Sequence, residues 1–391
     1  MTSLSHLVSA LPAYRAAAER VREHWLAHLA LLAETPAPTF GEQVRAEMLA
    51  ERFAAAGLQS CVVDAYGNAS ALCPGTGGGT TTLLLAAHAD TLPSEDAHPD
   101  VEIYQDRVVG PFVGDNVLAL AALATLPVLL EQLNIRLRSN LLLLGAARTQ
   151  GRGNLEGPRR FMAECGVTIP AALCVESFQL GRLNYASVGM LRGEITCRLP
   201  ADYNWAQFGS TGTVIPMADV IQRISRIPVP QRPLTTIILG TVEGGISPGN
   251  VARTTTLGFE VRSESKDILQ QIHEQLTDIV EDATAHSGKS ITLDIYARRD
   301  PGALDIGHLL VRQARAILGG LGLTPSLYPT TSMMTAIRDA GVPVLTLGLT
   351  TGERRNDLEE IEEAAAIAPM ADGLAQLVGM VQAMDQEGSG S

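Results

Sequence analysis

Apolar runs of strand length alternate with helix-length amphipathic runs through the first half of this chain. Strands are expected at 59–64, 69–73, 81–87, 139–146 and 171–175, with helices at 42–56, 117–132 and 156–165. That alternation restricts the fold to an α/β layer with a largely parallel central sheet. In such sheets ligands gather at the carboxyl ends of the strands. The buried run Leu83-Leu-Leu-Ala-Ala-His-Ala-Asp90 ends in a histidine and an aspartate, and Asp115 and Glu176 each follow another apolar run. His88, Asp115 and Glu176 therefore fall at strand ends. One histidine and two carboxylates is the ligand inventory of a zinc site.

The texture changes after about residue 186. Expected strands at 188–199, 234–242, 251–261 and 290–296, with helices at 214–227 and 266–286, give the order βαββαβ, the ferredoxin-like split motif. It reads as a complete inserted domain, 188–298, interrupting a discontinuous α/β domain of 1–187 and 299–391. That outer domain opens with one long helix over 4–33. It closes with a helix at 303–318, a short strand near Ser326, a helix at 333–339, a strand at 342–347 and a last helix at 361–384.

The 391 residues are enough for two domains, and 46% hydrophobic content supports two cores. Net charge is −13, from 29 basic and 42 acidic residues, which argues against nucleic acid as a partner. The longest apolar stretch, 117–130, is broken by Pro127 and too short to span a bilayer; it reads as a core helix. No basic segment followed by an apolar one opens the chain. Cys61, Cys73, Cys165, Cys174 and Cys197 lack CxxC spacing, as expected of thiols in a reducing compartment, so a cytoplasmic setting is expected. The run Gly75-Thr-Gly-Gly-Gly79 lacks the Lys-Ser/Thr of a phosphate loop and reads as a surface turn.

Each candidate also has a plainer reading. His88 can be a hydrogen-bonded histidine at a strand end, Asp115 a helix N-cap and Glu176 a surface acid. Arg262, in a strand, can be an exposed salt-bridge partner. His98, His286 and His308 lack partners at ligand spacing. The run Glu359-Glu-Ile-Glu-Glu363 reads as the solvated start of the last helix.

Taken in order, several segments make the chain resemble the zinc exopeptidases and amidohydrolases of metallopeptidase family 20. That family includes aminoacylases, glutamate carboxypeptidases, desuccinylases and N-carbamoyl amidohydrolases. The segments are Glu34-Thr-Pro-Ala-Pro-Thr-Phe-Gly-Glu42, Asp64-Ala-Tyr-Gly-Asn68, His88-Ala-Asp-Thr91, Gly114-Asp115, Glu176, the insert with Gly244, Gly245, Asn250 and Arg262, and 340–348. The resemblance implies two metals about one bridging carboxylate. By position, His88 and Glu176 would hold one zinc, Asp115 would bridge, and Asp90 would hydrogen-bond the other nitrogen of His88. Asn250 and Arg262 resemble the family's clamp for a substrate carboxylate. The insert would form a homodimer surface.

The same resemblance marks four losses. The family's paired glutamates, general base and second-metal ligand, correspond to Thr149 and Gln150. A hydroxyl cannot act as base at neutral pH, and an amide is a poor zinc ligand. The last family histidine corresponds to Arg355, and residues 309–391 contain no histidine at all. A histidine of the inserted domain corresponds to Gln207. The expectation is a divergent homologue with lost or much reduced hydrolysis, binding a small amide- or carboxylate-containing ligand between two domains, with one zinc or none. The alternative is a one-metal amidohydrolase or exopeptidase acting on an N-acyl amino acid or small peptide.

Overall fold

The computed structural model describes residues 4–79, 81–92, 100–201, 212–357 and 360–387. The chain divides into two units, one of residues 1–186 with 303–391, the other Ser187–Gly302. His98 and Gln207 lie outside the described residues.

The strands run in chain order: β1 (Gln59–Val63), β2 (Ala69–Cys73), β3 (Thr82–His88), β4 (Glu102–Ile103), β5 (Arg107–Gly110), β6 (Asn140–Ala146), β7 (Ala172–Phe178), β8 (Leu183–Asn184), β9 (Ala186–Ser187), β10 (Gly189–Arg198), β11 (Thr235–Gly244), β12 (Thr254–Ser263), β13 (Ser290–Arg299), β14 (Gly302–Ala303), β15 (Val344–Thr350), β16 (Gly352–Asp357) and β17 (Glu360–Ala366). The first unit carries a seven-stranded sheet in the order β1-β2-β6-β3-β7-β15-β8. Its four central strands are parallel, and the outer ones antiparallel. Every residue of β3 and β15 is buried, which explains their unbroken apolar sequence. Register aligns His88 with Ala146 and Glu176 with Gly348, so the carboxyl ends of four strands sit level.

The apolar helix Leu118–Gln132 is a core element. Among the described residues one helical stretch, Val113–Gln132, is long and apolar enough to cross a membrane, and 83% of its apolar window is buried in the protein. The expected helix over 4–33 is two helices, Leu4–Arg20 and Arg22–Ala33. At the break the Val21 amide bonds the carbonyl of Ala18, tightening the turn. The helix expected from 303 begins at Leu309, where the ring of His308 accepts the amide of Leu310 and caps it.

The largest departure is at the C-terminal end. Residues 361–366 are strand, not helix: β17 pairs with β16 on one side and β5 on the other, in a second sheet ordered β16-β17-β5-β4. Glu and Ala favour helix, but two flanking strands satisfy the backbone here and tertiary pairing overrides propensity. The last helix is Met370–Glu387, starting directly after Pro369. Glu363, expected on a solvated helix face, is fully buried.

The second unit is an antiparallel sheet ordered β11-β12-β10-β13, with helices Val214–Ile224 and Lys266–Ser287. That βαββαβ order with two central strands from different halves is the ferredoxin-like arrangement. Its own core gathers Leu191, Ile195, Val220, Phe259, Leu276 and Ile291.

Candidate metal centre

His88 closes β3, Glu176 lies near the end of β7, and Asp115 sits in the irregular turn Val113–Val117 that leads into the helix Leu118–Gln132. Asn116 fixes that turn to β7. Its amide donates to the carbonyl of Val175 at 2.8 Å and accepts the Ser177 amide at 2.7 Å and hydroxyl at 2.8 Å. Glycine at 114 is forced by packing, since a Cβ there would lie 2.0 Å from the ring of Phe178. The same ring leaves 2.1 Å for a Cβ at Gly352, so it is wedged between two glycines. Asp115 therefore does not cap the helix; its side chain turns to charged partners instead.

One ligand atom from each of His88, Asp115 and Glu176 lies within 4.8 Å of the others. His88 Nε2 is 3.0 Å from Asp115 Oδ1, and Nδ1 is 3.0 Å from the backbone carbonyl of Asp90. Both partners are oxygen acceptors, an arrangement that favours protons on both ring nitrogens. Burial opposes that charge, but the hydrogen bond and charge of Asp115, then Glu176 and Asp90, outweigh it and push the His88 pKa up to about 10. Burial likewise opposes ionisation of Asp115, yet His88 and then Arg354 hold its carboxyl well below the usual range. Burial raises Glu176, only partly countered by His88 and by Arg182, whose Nη1 stands 4.0 Å away.

The sequence placed Asp90 as the side chain that orients His88. The structure assigns that task to its backbone carbonyl; the carboxylate is 3.8 Å from Nδ1. The carboxylate is instead consumed by the segment after β6. Asp90 Oδ2 accepts from Thr149 N at 2.8 Å, Gln150 N at 2.8 Å and Thr39 Oγ1 at 2.9 Å, and Oδ1 accepts Thr149 Oγ1 at 2.6 Å. The two preceding amides are held in the same way: Asn68 Oδ1 accepts Ala147 N at 2.9 Å and Glu42 Oε1 accepts Arg148 N at 2.8 Å. Four consecutive amides, 147–150, thus end on side-chain oxygens. This accounts physically for Glu42, Asn68 and Asp90. It also fixes what Thr149 and Gln150 do: the Thr149 hydroxyl points to Asp90, and Gln150 Nε2 donates to the Asp90 carbonyl at 3.2 Å.

On the opposite side stands an arginine. It is Arg354, the neighbour of the expected Arg355, whose side chain falls outside the described residues. Arg354 Nη2 donates to Asp115 Oδ2 at 2.6 Å and Nε to Glu363 Oε1 at 2.6 Å. Glu363 Oε2 accepts the amide of Gly114, also at 2.6 Å. Sequence reasoning missed Arg354, Glu363 and Arg182. The only signal for the first two was a basic pair and an acidic run whose hairpin pairing was not recognised.

Asn250 and Arg262 are not brought together. Asn250 lies in the loop before β12 and donates to Ser247 Oγ at 2.6 Å, whereas Arg262 is near the far end of β12, paired with Glu260. The eight residue-to-residue steps from Thr254 to Arg262 span about 27 Å at strand rise. Within one chain the pair cannot clamp a single carboxylate.

One histidine and two carboxylates at this spacing suit a divalent metal with an open coordination position. The metal would replace the Nε2 proton of His88. No family model and no curated protein sequence matches this chain. Solved structures do. Aminopeptidase PepT from Bacillus cereus superposes with a TM-score of 0.69 at 17% identity, covering 93% of this chain and 98% of that one. The dipeptidase Dug1p from Saccharomyces cerevisiae gives 0.78 at 12%, covering 96% and 99%. A dinuclear metal-binding peptidase of the M20 family from Bacillus subtilis gives 0.63 at 13%, covering 93% and 99%. The chain therefore has the fold of the M20 peptidases.

Proposed function

We propose that this chain is a divergent M20-type protein that holds one zinc ion on His88, Asp115 and Glu176 and binds a small amide- or carboxylate-containing ligand with little or no hydrolysis. The observation that carries the reading is the engagement of Thr149 and Gln150 with Asp90. Neither is a carboxylate, and both are spent on structure. A bound zinc would supply Lewis acidity toward a ligand carbonyl or water. Without a positioned base, roughly 10²–10⁴-fold in rate is forfeited. The remaining groups bind and orient: Arg182 and Arg354 offer cations at the rim, and the Asp90 carbonyl fixes the ring of His88.

The purified chain should carry one tightly held zinc, lost in His88→Ala. N-acyl amino acids should raise its thermal midpoint by mass action while remaining intact. Zinc content unchanged in His88→Ala would remove the assigned ligand set, and no stabilisation by any such ligand would remove the binding role. We also propose a homodimer through the inserted unit, supported by the edge position of β11 and its exposed Ile238 and Val242. A monomeric solution mass would contradict it. Five free cysteines support a reducing, cytoplasmic setting.

A further inference from the structure

We infer that Arg354 acts as a built-in second cation of this centre, bridging Asp115 and Glu363 and limiting the site to a single divalent ion. The inference rests on the one-zinc reading above and concerns how many ions the centre can take.

The hairpin β16–β17 places Arg354 directly across from Glu363. Its Nε and Nη2 lie on one edge of the guanidinium, and each donates at 2.6 Å to a carboxylate oxygen, one from Glu363 and one from Asp115. An arginine edge that ordinarily grips one carboxylate bidentately here ties two together. Asp115 thus has its oxygens divided: Oδ1 faces His88, and Oδ2 faces Arg354. Glu363 is fully buried, and its other oxygen takes the Gly114 amide. A buried carboxylate beside a second carboxylate needs a cation between them. A guanidinium provides one permanently, because it does not lose its proton in proteins. A divalent ion could take this place only by expelling the side chain. A related fold carries a dinuclear centre; in this chain one of the two positive charges is covalently attached.

Removing the guanidinium should open the vacancy. In zinc equilibrium dialysis with elemental analysis of the full-length chain, Arg354→Ala should hold one zinc equivalent more than the wild type. Arg354→Ala combined with Glu363→Gln should give that equivalent back, and Arg354→Lys, which keeps a cation near both carboxylates, should match the wild type. Should Arg354→Ala fail to fold, Arg354→Gln carries the same expectation. A folded Arg354→Ala or Arg354→Gln protein with no more zinc than the wild type overturns the inference, as does a wild type that already holds two. A wild type with no zinc would instead refute the one-ion centre proposed above. The gain on removing Arg354 would still decide the inference.

Discussion

Asp90→Ala should be the most damaging single substitution near the site, costing on the order of 5 kcal/mol in urea unfolding. The carboxylate is fully buried and accepts four hydrogen bonds, two of them from the backbone amides of Thr149 and Gln150. Truncation leaves those amides without an acceptor, at about 1–3 kcal/mol each. It also strips the charge facing Arg45, whose guanidinium is buried and bonded to the carbonyls of Thr35 and Ala89. That arginine is already held below its ordinary pKa by burial, at about 10, with Asp90 and Glu42 opposing the shift. Asp90→Asn should cost far less, about 2 kcal/mol, because the amide oxygen can keep both backbone bonds while the amino group turns to the Thr149 hydroxyl. An alanine variant within 1 kcal/mol of the wild type, a threshold set by the value of about one neutral hydrogen bond, would refute the role assigned to Asp90.

Gly114→Ala should follow, at about 3 kcal/mol, with loss of zinc binding. The new methyl would sit 2.0 Å from the Phe178 ring, and that ring cannot retreat because Gly352 meets it on the other side. The turn must move, carrying Asp115 away from His88 and the Gly114 amide away from Glu363. Shortening the obstacle should relieve the strain, so Gly114→Ala should be less harmful in a Phe178→Leu background than alone. Additive costs in that double-mutant cycle would show that the clash is not the cause.

The central sheet was legible because β3, β6, β7 and β15 are buried strands whose apolar runs leave no polar alternative. His88 and Glu176 were legible as polar residues at strand ends; Asp115, expected at a strand end too, lies instead in the turn Val113–Val117, and the structure brings the three together. What the sequence concealed was pairing. β17 has helix-favouring Glu and Ala, and its strand state depends on β16 and on β5, some 250 residues earlier in the chain. With the hairpin unseen, Glu363 reads as a solvated acid, and Arg355 rather than Arg354 reads as the residue at the lost histidine position. The role of Asp90 was hidden for a related reason. Its proximity to His88 in sequence suggested a bond that its backbone makes, while the carboxylate serves amides 59 and 60 residues away.

Whether hydrolysis survives is the sharpest question. Zinc-loaded wild type and His88→Ala should be incubated side by side with a panel of N-acyl amino acids and dipeptides, and free amino acid measured. The wild type should release no more than His88→Ala does. Turnover in the wild type that disappears in both His88→Ala and Asp115→Ala would contradict the account and make this chain a one-metal hydrolase.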